Sequence, residues 1–312
     1  MLELPLAKSA IDRDYLARES SELFDELWRN HTTRVLPIFN QKVLLRENAS
    51  GDWQPQLALF EVEQVPSAQF RVYLGRTTIE TTNIDGSTLP VGSPIVAAAL
   101  GENSANQLQP DESKWHNLRR STGALDDLDA GIYAQGLAIT NWHLSHQHCP
   151  RCGTPTVIEK GGWSRRCFKD DRQVFPRTDP AIIVAVTDEF DRILLGSQGA
   201  WEDNRWSVLA GFVEAGESLD QAVRREILEE AGVPVRDVHY RGSQPWPFPY
   251  SLMFGFTAKA DSTSQLVPDG IEIEKLKWFS RDELRASRDS ILLPGRLSIA
   301  RALIEDWLGE SL

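Results

Sequence analysis

The sequence predicts an α/β (α+β) protein: a layered sheet-and-helix domain closes the chain, and a second α+β domain opens it. Three observations carry this. At 312 residues the chain exceeds one average domain. AIIVAV (181–186) is apolar without alternation, the pattern of a strand covered on both faces. Strand-like runs then mix with two helical stretches, Ser218 to Ala231 and 298–308, which predicts an α/β/α layering of the C-terminal part.

In chain order, DYLARESSELFDELWRN (14–30) has helical character. The β-rich runs RVLPIFNQKVLL, QLALFEVEQV and QFRVYLG follow, with turn residues between them. GENSANQLQPDESK (101–114) reads as a polar loop. Residues 127–147 return to a helical pattern through Ile132, Leu137 and Trp142. RILLGSQ (192–198) partners AIIVAV across a short turn. WSVLAGFVEAG (206–216) runs from a strand into a glycine-bounded loop, and SLMFGFTAKA and LKWFS complete the strands. No internal repeat and no low-complexity tract is visible. The boundaries expected are 1–145, 146–174 and 175–312.

Composition excludes several classes. A net charge of -12 argues against a generally basic nucleic-acid surface. It leaves room for small anions, because a bound divalent cation reverses the local sign. No basic-then-apolar leader opens the chain, and no apolar run spans a bilayer. Three cysteines make no disulfide framework. A soluble cytoplasmic protein without a membrane partner is expected.

CPRCG (149–153) places Cys149 and Cys152 on one tight turn, with Cys167 fourteen residues further on. A second such knuckle would complete a tetrahedral zinc site, but Asp170 stands where its second cysteine belongs. Asp170, Asp171, His146 or His148 could supply the fourth ligand. The alternative is a ribbon that folds on packing without metal.

In GFVEAGESLDQAVRREILEEAGV (211–233), Glu226 and Glu230 are four apart and share one helical face. Their repulsion disappears if they hold a hard divalent cation such as magnesium. Arg225 lies four before Glu229, a spacing that lets it orient that carboxylate. Gly211 would permit an unusual backbone entering the loop, and Gly232 a helix C-cap. A solvated acidic face is the ordinary origin of such a helix. Here the spacing is more specific: Gly211, five residues, Glu217, seven residues, Arg225-Glu226-Ile227, one residue, Glu229-Glu230, one residue, Gly232-Val233. It resembles the Nudix box at every fixed position. SQPWPFPYSLM (243–253) resembles the signature that follows that box in the NADH pyrophosphatase family, and the order of parts is similar too. Read bare, its prolines make a rigid, extended aromatic element.

The resemblance implies metal-dependent hydrolysis of the NAD(H) pyrophosphate to nicotinamide mononucleotide and AMP, and removal of NAD caps from RNA 5′ ends. It implies Mg2+ or Mn2+ held by Glu226, Glu230, Glu272 and the backbone of Ala210, with Glu229 and Arg225 assisting. It implies a substrate pocket of Phe175, Phe212, Gln244, Pro245, Trp246, Pro247, Phe248, Pro249, Tyr250, Ser251 and the backbone of Ala300, with Phe212 on the nicotinamide. It implies a structural zinc at Cys149, Cys152, Cys167 and Asp170, and a homodimer. Two other readings remain: a Nudix enzyme of another diphosphate such as ADP-ribose, and a non-enzymatic zinc-ribbon binding module.

Overall fold

A computed structural model describes residues 1–46, 56–83, 86–117, 119, 125–261 and 265–312. The chain divides into two compact units. The N-terminal unit holds Lys8–Thr178 and Trp246–Tyr250. The C-terminal unit holds Met1–Ala7, Asp179–Pro245 and Ser251–Leu312.

In the N-terminal unit the strands are β1 (Ile11–Asp12), β2 (Arg34–Phe39), β3 (Lys42–Leu44), β4 (Ala68–Thr77), a small ribbon of β5 (Thr81–Thr82) and β6 (Thr88–Leu89), then β7 (Pro94–Leu100) and β8 (Trp115–His116). Its six-stranded sheet has the order β1-β4-β7-β2-β3-β8. The β2–β3 hairpin turns at Asn40 and Gln41, whose φ of 48° and 61° match the twist of the flanking strands. Strands β2 and β7 run parallel. One face buries Val35, Val96 and Ala98 with Leu23 and Leu27 of α1 (Leu23–Arg29). The other meets α3 (Asp127–Ser145), where Gly136 lets the helix sit against Leu36, Ile38 and Ala97. The Asp126 side chain caps α3 by accepting from the Asp129 N–H at 2.7 Å.

The expected polar loop at 101–114 instead contains α2 (Glu102–Leu108) and a 3-10 turn. Only one buried residue, Ala105, faces inward from α2, so no apolar period announced it. The helix expected over 14–30 is a 3-10 turn followed by α1 alone. The strand expected at 56–65 reduces to two isolated bridges and a 3-10 turn at Val62–Gln64.

The ribbon is a three-stranded antiparallel sheet of β9 (Val157–Glu159), β10 (Ser164–Cys167) and β11 (Arg172–Val174). It belongs to the N-terminal unit because its side chains reach back. Trp163 Nε1 donates to the Tyr73 carbonyl at 2.7 Å, and buried Arg165 contacts His143 Nδ1 at 3.1 Å.

The C-terminal sheet runs β15 (Val235–Trp246), β16 (Ser251–Ala260), β12 (Asp179–Thr187), β13 (Ile193–Ser197), β17 (Lys275–Phe279), with β14 (Leu209–Phe212) also on β12. Even positions of β12 (Ile182, Val184, Val186) pack with Ala222, Val223 and Ile227 of α4 (Leu219–Ala231). Odd positions (Ile183, Ala185) pack with Ile299, Leu303 and Ile304 of α6 (Ile299–Leu308). Each such buried aliphatic side chain contributes about 1.5–3 kcal/mol. This is the layering the unalternated run predicts. β15 and the short α5 (Arg281–Ala286) were not expected; β15 carries mostly polar side chains and an irregular backbone at Asp237 and Gly242.

The two sheets share one wiring. β2 and β12 each run parallel to a later strand, β7 or β16, and antiparallel to the next one, β3 or β13. β3 and β13 in turn pair antiparallel with β8 and β17. The bridges Leu45–Leu57 and Val35–Phe60 repeat Gly196–Ser207 and the β12–β14 pairing. The repeat lies in topology, and no fixed-period residue pattern marks it.

Candidate active site

Helix α4 begins at Ser218, in a capping box with Gln221, and ends at Gly232 in the left-handed region at φ 70°. Its buried positions Ala222, Val223, Ile227 and Ala231 dock it on the sheet, and Glu230 falls on that same stripe. A Cβ on Gly211 would lie 2.0 Å from the Glu226 carboxylate carbon. The glycine therefore admits the glutamate against β14. Its φ is not in the left-handed region, so close approach, and not the expected backbone freedom, is what requires glycine.

Glu230 is 4% exposed, and its Oε2 has no hydrogen-bond partner among the described residues. Burial, and then the charges of Glu226, Glu272, Asp269 and Glu229, push its carboxyl up to about 8. Burial also raises Glu226, against the opposing pull of Arg225. An orphaned buried carboxylate beside like charges fits a cation ligand, because a divalent ion removes both penalties. Glu272, an exposed residue, reaches Glu226 and Glu230 electrostatically. These three do not close to mutual ligand distance as the cysteine cluster does.

Arg225 organises the helix. It makes two bonds to Glu217 at 2.8 and 2.9 Å and one to Glu229 at 2.9 Å. It also pairs with Glu226 at 2.9 Å and donates to the Phe212 carbonyl at 3.0 Å. The expected Arg225–Glu229 pairing is present. Glu217 was recognised as a fixed position without a role; it is the bidentate anchor of Arg225. Asp269 escaped the sequence reading altogether. Its carboxylate accepts the N–H of Ile271, Glu272 and Ile273, shaping the turn that presents Glu272. The Asp269-Gly270 pair was its turn signal.

The residues expected to line a substrate pocket fall in both units. Phe212 is 60% exposed and Phe175 62% exposed. Ala210 pairs with Ile183 in the sheet. Ala300 is buried, and its N–H is taken by Ser298 Oγ at 3.1 Å. Gln244 is wholly buried; its amide bonds the Leu297 carbonyl at 2.8 Å and the Leu6 N–H at 3.4 Å, so it braces the fold. Pro247–Tyr250 form a turn between β15 and β16, not the extended element expected. Asn141 Nδ2 fixes it from α3 by donating to the Pro247 and Pro249 carbonyls at 3.0 and 3.3 Å. Tyr250 bonds Ser145 at 2.5 Å, and Trp246 meets Phe248 edge-on at 4.9 Å. Pro245 ends near the close of β15, and Ser251 opens β16 opposite Asp179.

In the ribbon, ligand atoms of Cys149, Cys152, Cys167 and Asp170 all lie within 4.8 Å of one another. Cys152 and Cys167 sulfurs are 3.5 Å apart, and Cys149 Sγ is 3.6 Å from Asp170. That spacing fits a tetrahedral zinc. Asp171 instead pairs with Arg166 at 2.8 Å, and His146 contacts Ser145 at 2.9 Å.

A glutamate helix seated on a glycine of a two-sided mixed sheet defines a Nudix domain. Residues 177–297 match the NUDIX domain family, 144–175 the NADH pyrophosphatase zinc ribbon domain, and 32–142 the NADH pyrophosphatase-like rudimentary NUDIX domain. The chain belongs to the NADH pyrophosphatase family of Nudix proteins. It is similar to the NAD-capped RNA hydrolase NudC of Mycobacterium bovis (strain BCG / Pasteur 1173P2), with 44% identity over 201 residues, 61% of this chain and 64% of the relative. It is 38% identical over 198 residues to the NAD-capped RNA hydrolase NUDT12 of Homo sapiens, covering 59% of this chain and 43% of the relative. Each match thus spans under two thirds of the relative's length.

Proposed function

We propose that this chain hydrolyses the pyrophosphate of NAD(H) to nicotinamide mononucleotide and AMP, and that it removes NAD caps from RNA 5′ ends. The observation that carries the reading is Glu230, a buried carboxylate whose Oε2 has no hydrogen-bond partner among the described residues, on the same helix as Glu226. Relatives named for NAD-capped RNA support the substrate class.

Glu226, Glu230 and Glu272 would hold Mg2+ or Mn2+, with the Ala210 backbone beside them. When bound, the cation supplies charge neutralisation of the pyrophosphate and an activated water for in-line attack. The chain does the rest. Arg225 pairs with Glu226 and Glu229 and ties the helix to the Phe212 carbonyl. Gly211 leaves room for the Glu226 carboxylate. The exposed rings Phe212 and Phe175 offer stacking faces to flat bases. The four ribbon ligands would hold a structural zinc.

No helix among the described residues is long and apolar enough to cross a membrane. A homodimer rests on family resemblance alone, and light scattering tests it. The activity is tested by incubating the protein with NADH, ADP-ribose and NAD-capped RNA, with and without Mg2+ or Mn2+. Turnover of NADH only with added cation is the expected result. Metal-independent turnover, or faster turnover of ADP-ribose than of NADH, overturns it.

A further inference from the structure

The net charge of -12 hides a local reversal. Within residues 144–175 stand Arg151, Lys160, Arg165, Arg166, Lys169 and Arg172, against Glu159, Asp170 and Asp171. Half of these cations are committed inside the unit. Lys160 pairs with Glu19, Arg166 with Glu159 and Asp171, and Arg165 is buried on Thr156. Arg151, Lys169 and Arg172 are exposed and make no ion pair among the described residues.

Those three, though separated in sequence, all lie on the two knuckles and the strand that surround one cluster of side chains. Arg151 sits between Cys149 and Cys152 on the first knuckle, and Lys169 between Cys167 and Asp170 on the second. The four flanking side chains converge within 4.8 Å, so the two knuckle tips lie side by side. Arg172 pairs with Cys167 across β10–β11. Phe168, 70% exposed, stands on the turn between Cys167 and Lys169. On the first knuckle, Cys149 N–H donates to the Thr154 carbonyl at 2.8 Å and Gly153 N–H to the Cys149 carbonyl at 2.9 Å.

An exposed ring on the same turn as an exposed cation, with two more cations around the same cluster, is a combination suited to a single-stranded nucleic acid. The cations take phosphates and the ring takes one base face. A folded protein partner would leave three uncompensated charges at its interface unless it were acidic there, and it would not explain the projecting ring as well. We propose that the ribbon tip of Arg151, Phe168, Lys169 and Arg172 binds the single-stranded body of an RNA, independently of any 5′ cap. The assignment rests on the proposed RNA substrate for its occupant, and the binding measurement separates the two ideas.

The test uses the full chain and an uncapped single-stranded RNA of about ten nucleotides, followed by fluorescence anisotropy across a salt series. The variant R151A/K169A/R172A should weaken binding at least about tenfold and lower the slope of log K against log salt by about 2. F168A should weaken it about tenfold with the slope kept. The charge-preserving R151K/K169R/R172K should bind like the parent, which separates loss of charge from loss of fold. All three should turn over NADH within about twofold of the parent. Unchanged affinity and salt slope in the triple alanine variant overturn the proposal, as does equal weakening in the charge-preserving one. Tight RNA binding by a protein that leaves NADH intact would sink the proposed activity and leave the ribbon assignment standing.

Discussion

After β3, the N-terminal sheet passes through Leu57 and Phe60 into a three-residue turn at Val62–Gln64 and then directly into β4. After β13, the C-terminal sheet passes through Ser207 and β14 into the thirteen residues of α4 before reaching β15. The strands around the two segments are wired alike. The acidic residues left in the shorter version are absorbed locally: Glu61 closes a capping box with Gln64 and pairs with Arg34 at 3.7 Å. So this sheet topology does not need a glutamate helix to hold together. In the C-terminal sheet the helix buries Glu230 with its Oε2 lacking a hydrogen-bond partner among the described residues, at a cost to the metal-free fold.

The comparison breaks most sharply at Glu230. Glu230→Gln removes charge at nearly constant volume, so NADH turnover should fall by at least about a hundredfold while the fold persists. Wild-type-like turnover by folded mutant protein would show that the helix of one sheet is as inert as the turn of the other. Phe212→Ala comes next. It should lower kcat/KM for NADH by about ten- to a hundredfold, with a smaller loss on ADP-ribose, which lacks the nicotinamide. Equal losses on both would make Phe212 a structural residue of the loop.

The same carboxylate gives a pH signature. With its folded value pushed up to about 8 from 4.5, Glu230 lends the cation-free protein stability that is fully present below 4.5 and is lost as pH rises through about 8. Thermal melts in chelator should therefore fall across that window. Added Mg2+ should restore the alkaline end, and Glu230→Gln should flatten the profile. A melting temperature indifferent to pH in both proteins contradicts the burial argument.

The ribbon should hold zinc weakly, because Asp170 replaces a soft thiolate with a hard carboxylate. Elemental analysis after mild chelation should find less than one zinc per chain, and Asp170→Cys should retain it. One chelator-resistant zinc in the parent would refute this. The smallest effect belongs to the sheet without the helix: Glu63→Gln, on its exposed turn, should leave kcat/KM for NADH within about twofold. A larger loss would mean that the N-terminal sheet takes part in the reaction.

Features set by short-range spacing are legible in the residues alone. The α4 helix, its cap at Gly232, the Arg225–Glu229 pair, the doubly covered strand AIIVAV and the cysteine knuckles are all local patterns, and the fold kept them. Features that join residues distant in sequence emerge only in the folded chain. Only the approach of β14 to α4 shows that Gly211 is there to seat Glu226. The bracing of Gln244 by Leu297 and Leu6, and the turn held by Asn141, join segments up to 238 residues apart. The repeated sheet was invisible for a related reason: strand order is fixed by backbone hydrogen bonds, which any apolar sequence can make, so two sheets can share wiring without sharing side chains.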